Sequence, residues 1–298
     1  MKTGIVILNY NNATDTISCL RSLYATTNID KFRVVVVDNG SRREVVSQLS
    51  DFITRFAPSV TLHLLPKNVG YANGNNEGCK LLYNDPEVGY IAILNNDTIV
   101  LEDFVTPLQA AIDNTPDAAL ISPLLFRSDG KTIEHNCARR APKLREIFTG
   151  WALLHRNTFG ILGRIEHRNS MLPDKIEGKT IPVELISGSC FMVKKSLFEE
   201  LGGFDSGTFL YYEENILWEK IRRRGLKNYL NCSVRLIHLG AATTSTQVKS
   251  IFVAKCLVNS TRYFIRNFTN AGVFYRAAIV PFYALFLLKI GIKSLIKG

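Results

Sequence analysis

Short, uninterrupted apolar runs alternate along the chain with stretches in which apolar residues recur every three or four positions. Gly4–Leu8, Phe32–Val37, Val60–Leu65, Tyr90–Leu94 and Ala118–Phe126 are runs of the first kind. Phe32–Val37 is too continuous for an exposed strand and Gly4–Leu8 reads as a buried one; the others read as further strands. Ala13–Tyr24 places Ile17, Leu20, Leu23 and Tyr24 at helical spacing, with Thr14 or Asp15 positioned as the N-cap. Glu44–Phe56, the segment from Gly70 to about Leu82, and about Glu102–Asn114 continue the helical pattern. Strand and helix in strict alternation predict an α/β sheet. From Cys137 to Ile181 no period holds, and basic residues, Gly150-Trp151, Gly160, Gly163 and Pro173 suggest a long loop or partly helical insertion near the active edge. Order returns at Val183–Val193, a helix at Lys195–Leu201, and a turn at Gly202–Asp205. Phe209–Glu214 then leads into a helix that stops at Gly225, and two strands follow near Asn228–Leu230 and Val234–Ile237.

Polar residues punctuate this pattern at informative places. Three of the buried runs end in Asn9-Tyr10-Asn11-Asn12, Asp38-Asn39-Gly40-Ser41 and Asn95-Asn96-Asp97. In open α/β sheets ligands collect beyond the C-terminal ends of the strands. Asn-Asn-Asp by itself is also an ordinary turn sequence; its neighbours give it weight. The segment Asn68–Gly78, rich in glycine and asparagine, opens a helix. Its glycines allow close backbone approach to a ligand, and helix N-terminal amides suit phosphate.

Composition narrows the class. A chain of 298 residues with 46% hydrophobic and 21% charged residues folds as a globular protein with a full-sized core. The net charge of +10 predicts anionic partners: nucleotides, nucleic acid or an acidic lipid surface. No aromatic-plus-basic recognition motif accompanies the charge, so nucleic acid is not expected. Six dispersed cysteines without CxxC spacing argue against structural zinc and for reduced, buried thiols, as in a cytoplasmic protein. Lys2 precedes only a short strand-like run, so no signal peptide is expected. After about Ser245 the chain becomes basic and helical in tendency. Ala277–Leu288 is wholly apolar, flanked by Arg276 and Lys289, with Lys293 and Lys297 beyond. This run is shorter than the roughly 20 residues of a spanning helix, and Pro281 interrupts it. It reads as an interfacial anchor on an anionic leaflet, or as a helix packing on the rest of the chain or on a second subunit.

Taken in order, Asn9-Tyr10-Asn11, Val37-Asp38-Asn39-Gly40-Ser41, Asn68–Asn75, Leu94-Asn95-Asn96-Asp97, Gly203-Phe204-Asp205, Tyr212-Glu213-Glu214 and His238-Leu239-Gly240 resemble a family-2 glycosyltransferase. The flavour is that of rhamnosyltransferase-like enzymes of bacterial surface-polysaccharide assembly, over roughly residues 3–245. The resemblance implies an A-type, Rossmann-like nucleotide-sugar-binding sheet at 1–245 and a helical extension at 246–298. It implies a donor pocket of Asn9, Tyr10, Asn11, Asp38, Asn68, Gly70, Asn73, Asn75, Asn95, Asn96 and Asp97. In it Asp38 reads the base, Tyr10 is placed to stack on it, and Asn96 lies near the ribose. Asn95-Asn96-Asp97 occupies the place of the family's Asp-x-Asp motif, with Asn95 where the leading acid stands. Asp97 and His238 are the implied ligands of Mg²⁺ or Mn²⁺, held largely by the donor diphosphate. Glu214 is the implied general base of an inverting displacement, with Glu213 the other choice; the family usually has Asp here. The implied donor is dTDP-rhamnose or a UDP-sugar, and the acceptor a glycan or lipid-linked oligosaccharide. The expected location is the inner face of the bacterial cytoplasmic membrane, and oligomerisation is open. A nucleotidyltransferase that makes nucleotide sugars would want a Gly-rich signature with Arg and Lys near the N-terminus, unlike Asn9-Tyr10-Asn11. An inactive nucleotide-sugar-binding module is the remaining alternative.

Overall fold

A computed structural model describes residues 1–154, 169–173, 178–240 and 250–297. Its first half follows the hydrophobic pattern. Strands β1 (Lys2–Asn9), β2 (Phe32–Asp38), β3 (Thr61–Leu64) and β4 (Val88–Asn95) are parallel, in the order β3-β2-β1-β4. Helices α1 (Ala13–Thr26), α2 (Arg43–Phe56) and α3 (Tyr71–Tyr83) make the crossovers. Ile5, Val6, Ile7, Val36, Val37, Ile91, Ile93 and Leu94 are wholly buried, as strands covered on both faces require. Asn12, not Thr14 or Asp15, caps α1: its side chain accepts from the Asp15 N–H at 3.2 Å. Helix α3 lies close on the sheet because it presents glycines to it. A Cβ at Gly78 would stand 2.5 Å from Val6 Cγ1 and 2.9 Å from Val37 Cγ2.

The second half departs from simple alternation. Next along the chain come β5 (Thr98–Val100), α4 (Val105–Asp113), β6 (Ala118–Phe126), β7 (Ala138–Arg139) and α5 (Leu144–Leu154). They are followed by β8 (Thr180–Val183), β9 (Leu185–Ile186), β10 (Cys190–Lys194), α6 (Lys195–Glu200), α7 (Glu213–Arg222) and β11 (Lys227–His238). Helix α4 begins at Val105 rather than near Glu102, because Asp103 Oδ1 receives the Val105 and Thr106 N–H groups. Strand β10 enters antiparallel between β4 and β6, making a mixed sheet in the order β3-β2-β1-β4-β10-β6-β11-β5. The stretch read as one ordered run, Val183–Val193, is three pieces, and β9 pairs β7 in a separate two-stranded ribbon. The two strands expected near 228 and 234 are one, β11, with an irregular register between Asn231 and Arg235. The loosely patterned insertion contributes β7 and α5; its residues 155–168 and 174–177 lie outside the described ones.

The tail forms a helical pair, α8 (Ser250–Phe268) and α9 (Val273–Lys297); the proposed boundary near 245 also falls outside the described residues. Its inner face packs on α5 and α7 through Ile147, Trp151, Ile216, Val258, Phe264, Tyr283 and Phe286. Trp151 meets the rings of Tyr283 and Phe286 edge-on at 4.7 and 5.4 Å. Contrary to the reading of a broken apolar run, α9 continues for 25 residues through Pro281, which lies on its exposed side. Val273–Ile292 is long and apolar enough to cross a membrane by length and composition, with 17% of it buried. Phe274, Val280, Leu285, Leu288 and Ile292 are exposed along α9. All six cysteines are buried and free, as expected.

Charge is sharply partitioned. Residues 220–298 carry 14 Lys and Arg and no Asp or Glu. Of 36 basic and 26 acidic residues in the chain, 22 and 26 therefore fall in residues 1–219.

The tight seat of α3 is directly testable. Gly78→Ala is expected to destabilise the fold by about 1–3 kcal/mol, because the new methyl has no room between Val6 and Val37. A urea-unfolding midpoint unchanged from wild type would show that the helix shifts freely to admit it.

Candidate active site

The strand ends meet as the parallel register dictates: Asn9 stands opposite Asp38, and Leu8 opposite Asn95. Asn9 and Asp38 are buried, and Asn9 Nδ2 donates to Asp38 Oδ2 at 2.7 Å. Asp38 Oδ1 accepts the Ser41 N–H at 2.9 Å, so this carboxylate also organises its own turn. Asn11 has φ +54°, and its side chain accepts the Arg42 N–H, tying the first strand end to the start of α2. Tyr10 is half-buried between them.

The Asn68–Asn75 segment is anchored from the neighbouring loop. Asn39, buried at the end of β2, donates to Asn68 Oδ1 and Gly70 O and accepts the Val69 N–H. Gly70 has φ +90°, and a Cβ there would lie 2.5 Å from Phe209 O. The close approaches at Gly70 and Gly74 are thus made to Phe209 and Leu8 of the protein itself. Asn73 and Asn75 donate back to Val69 O and Tyr71 O along their own helix. Asn75 is buried and does not reach the cleft described below.

Asn96 and Asp97 turn the chain from β4 to β5, and both are buried. Asn96 Nδ2 donates to Thr16 Oγ1 at 3.0 Å, a scaffolding contact. Asp97 Oδ1 lies 3.3 Å from His238 Nε2, and His238 Nδ1 lies 3.0 Å from Glu134 Oε1. Burial works to lower the imidazole pKa, but hydrogen bonds and charge from Asp97 and Glu134 outweigh it and raise it to about 10. Glu134 fixes Nδ1 and so directs Nε2 at Asp97, the way carboxylates orient metal-binding histidines. Among the described residues no cluster of three or more His, Cys, Asp or Glu is arranged to hold a metal ion. One carboxylate and one imidazole, once the imidazole has given up the proton that Asp97 and Glu134 favour, fit a divalent cation that takes its other ligands from a diphosphate.

Glu214 opens α7 and is half-buried; the Gly188 N–H donates to its Oε1 at 3.1 Å. Tyr71 Oη donates to Gly188 O at 2.7 Å. Burial, then the charges of Glu214, Glu213 and Asp97, hold the Tyr71 phenol well above its usual range, so it stays protonated. The two residues before the glutamates, Tyr211 and Tyr212, have φ of +76° and +71°. Two consecutive left-handed tyrosines are strained backbone of the kind that collects at functional sites. Glu213 is buried, its Oε1 has no hydrogen-bond partner, and burial followed by the charge of Glu214 pushes its pKa up to about 8.

The loop 187–189 joins these parts. Gly188 holds Glu214 and Tyr71; Ser189 Oγ lies 3.2 Å from His238 Nε2; Ser189 O accepts the Asn95 N–H at 2.8 Å. A Cβ at Gly188 would stand 2.6 Å from Glu214 Oε1. A cleft of about 510 Å³ opens beside this loop, lined among others by Tyr71, Asn95, Arg139, Trp151, Glu213 and Glu214. The structure thus gathers Asn95, Glu213 and Glu214 at the cleft, with Asp97 and His238 joined to it through Ser189. Asn9 and Asp38 form a separate buried pair at the strand ends. Glu134, Gly188 and Ser189 were not anticipated as site residues.

A sequence model described as Glycosyl transferase family 2 matches residues 4–202. The chain belongs to that family. It is 26% identical over 232 residues to the low-salt glycan biosynthesis hexosyltransferase Agl10 of Haloferax volcanii, covering 78% of this chain and 64% of the relative. It is also 26% identical over 232 residues to N-acetylglucosaminyl-diphospho-decaprenol L-rhamnosyltransferase of Mycobacterium tuberculosis, covering 74% and 71%. The fold is similar to that of GalNAc-T7 solved with UDP, GalNAc and Mn²⁺, with TM-score 0.61 and 14% identity, covering 96% of this chain and 55% of that one. The chain therefore spans less than two thirds of the length of the haloarchaeal relative and of GalNAc-T7. The rhamnosyltransferase-like resemblance and the A-type fold both hold.

The buried glutamate makes stability depend on pH. The pKa of Glu213 rises from 4.5 to about 8 on folding, so the stability tied to its protonated form is complete below about 4.5 and is lost as pH climbs through about 8. Glu213→Gln is expected to flatten that decline, seen as a smaller drop in melting temperature between pH 5 and pH 8. An equal drop in both proteins would mean that Glu213 keeps its ordinary pKa.

Proposed function

We propose that the chain transfers a sugar from a nucleotide-diphosphate donor, dTDP-rhamnose or a UDP-sugar, to a hydroxyl of a glycan or lipid-linked oligosaccharide, with inversion. The observation that carries this is the loop 187–189, which holds Glu214 through Gly188 and touches the Asp97–His238 pair through Ser189. An acid facing an open cleft and a cation-suited pair beyond it, linked by adjacent residues, match what glycosyl transfer needs.

In this reading Asp38 and Asn9 receive the base end of the donor at the strand ends. Asp97 and His238, the latter after losing its proton, would hold Mg²⁺ or Mn²⁺, which would supply positive charge against the diphosphate leaving group. Glu214 takes the proton from the acceptor hydroxyl as that oxygen attacks the anomeric carbon. Glu213, held protonated by burial and by the neighbouring carboxylate, is unsuited to accept that proton near neutral pH. Glu214 is therefore the base and Glu213 a buried neighbour that stiffens the helix start. Gly188 and Tyr71 keep the Glu214 carboxylate aimed into the cleft.

Turnover of dTDP-rhamnose and common UDP-sugars, with and without Mg²⁺ or Mn²⁺, tests the reading. Asp97→Ala and Glu214→Gln should each lower transfer by about 10²–10⁴-fold, with Glu214→Gln leaving donor binding intact. Near-normal transfer by either variant would remove the role given to that residue. Nucleotide-sugar synthesis from a sugar phosphate and a nucleoside triphosphate would instead favour the nucleotidyltransferase reading.

We further propose that the chain rests on the cytoplasmic leaflet of a bacterial membrane through α9. The exposed residues Leu285 and Leu288 give this helix an apolar outer side, and every charged residue from 220 onward is basic. Leu285→Asp with Leu288→Asp should reduce flotation with phosphatidylglycerol vesicles by about tenfold or more. Carbonate extraction separates the modes: a surface-bound chain is released, whereas a helix that spans stays with the membrane.

A further inference from the structure

Two adjacent arginines at the rim of the cleft have opposite fates. Arg140 is engaged: Nη2 lies 2.8 Å and Nη1 3.1 Å from the two oxygens of Glu146. Arg139, on β7 opposite Leu185, is not. Its Nε is buried without a hydrogen-bond partner, and among the described residues no carboxylate comes within ion-pair distance of its guanidinium. This holds although Glu213 and Glu214 line the same cleft. Arg139 as a whole is half-buried; a guanidinium cannot shed its charge in a protein, and its buried Nε–H stays unmet until an acceptor reaches it.

We propose that Arg139 recognises a phosphate of the acceptor, a sugar carried on a phosphate or diphosphate ester of a lipid. The planar guanidinium suits that group, which it can bind through paired hydrogen bonds. Phosphate could arrive from two sources, the donor or the acceptor, and the lining of the cleft favours the second. Asp38 and Asn9, at the base end of the donor site, do not line the cleft; Trp151, Ile147 and Leu257 do. The cleft is thus lined by Glu214, by the Arg139 cation and by apolar residues of α5 and α8. That combination of environments matches a sugar hydroxyl, a phosphoester and a lipid chain. Leu257 belongs to α8, which packs in one apolar cluster with α9, the helix proposed to meet the membrane.

The assignment deepens the sugar-transfer reading and rests on it, but binding separates the two. Farnesyl diphosphate and farnesol are titrated into the full chain with saturating UDP and Mg²⁺ present, and tryptophan fluorescence is followed, since Trp151 lines the cleft. Wild type should bind farnesyl diphosphate about tenfold or more tightly than farnesol. Arg139→Gln should bind the two alike, Arg139→Lys should keep part of the preference, and the affinity for UDP should be the same in all three. Wild type that does not distinguish the farnesyl probes overturns the proposal, and so does Arg139→Gln that still does. Weakened UDP binding in Arg139→Gln, with the farnesyl preference intact, would assign the arginine to the donor instead. Should Arg139→Gln fail to fold, the wild-type comparison and Arg139→Lys still decide. Absence of turnover with every nucleotide sugar would sink the sugar-transfer reading while leaving this binding result to stand or fall separately.

Discussion

The tripeptide Ser187-Gly188-Ser189 is the constraint on which the site depends. It links parts of the chain that lie far apart in sequence: the end of β4 through Asn95, the start of α3 through Tyr71, α7 through Glu214 and the end of β11 through His238. Its central residue has no side chain because Glu214 already occupies that space. The loop can sit there because β10 runs antiparallel beside β4, so the start of β10 meets the polar end of the parallel strand. Beneath it, Phe191, Phe198 and Phe204 pack edge to face, and Tyr71 leans on Phe204 with centroids 5.6 Å apart. A dry aromatic floor therefore carries the hydrogen-bonded loop.

The parallel half of the fold was readable because β1, β2 and β4 are largely buried and so write themselves as apolar runs that end in polar residues, while the edge strand β3 stays half-exposed. That Asp38, Asp97, Glu214 and His238 stand at strand and helix ends was readable for a related reason, while the roles expected of them came from the resemblance. What escaped notice had no such signature. Glu134 lies in an irregular turn before β7, and its partnership with His238 joins residues 104 apart. Arg139 looked like one more charge in a basic insertion; the pairing of its neighbour with Glu146 shows that, of the two arginines, Arg139 is the one without a carboxylate among the described residues. Ser187-Gly188-Ser189 was hidden inside an apparently continuous strand, since the apolar residues around it belong to two different sheets. Pro281 misled in the opposite direction. A proline inside a helix removes one hydrogen bond, but here both flanks are strongly helical and the ring faces outward, so the helix continues.

Two glutamates side by side solve a problem of assignment. Both line the cleft, but Glu213 is buried, so that burial and its neighbour favour the neutral acid, whereas Glu214 is half-buried and receives an amide hydrogen bond. Environment, not residue type, separates their roles. The strained backbone at Tyr211 and Tyr212 sets the direction in which α7 starts, and thereby which glutamate points where. The ring of Tyr212 also packs 5.2 Å from Phe264 of α8, so the tail braces the same corner. The helical pair thus packs against the corner from which Glu213 and Glu214 project.

The partition of charge along the chain has a consequence for how the molecule approaches a surface. All acidic residues lie before position 220; Lys220, Arg222, Arg223, Arg224 and Lys227 pair with some of them, and the helical tail beyond adds Lys and Arg with no acid of its own, which leaves the molecule a basic end. Near a negatively charged plane such a body feels a torque as well as an attraction, beginning about a Debye length away, roughly 8 Å at physiological salt. It is turned before it touches, with its basic end leading. Encounters are then sorted by orientation in advance of any specific contact, and raising the ionic strength should scramble the angle of arrival before it abolishes arrival itself.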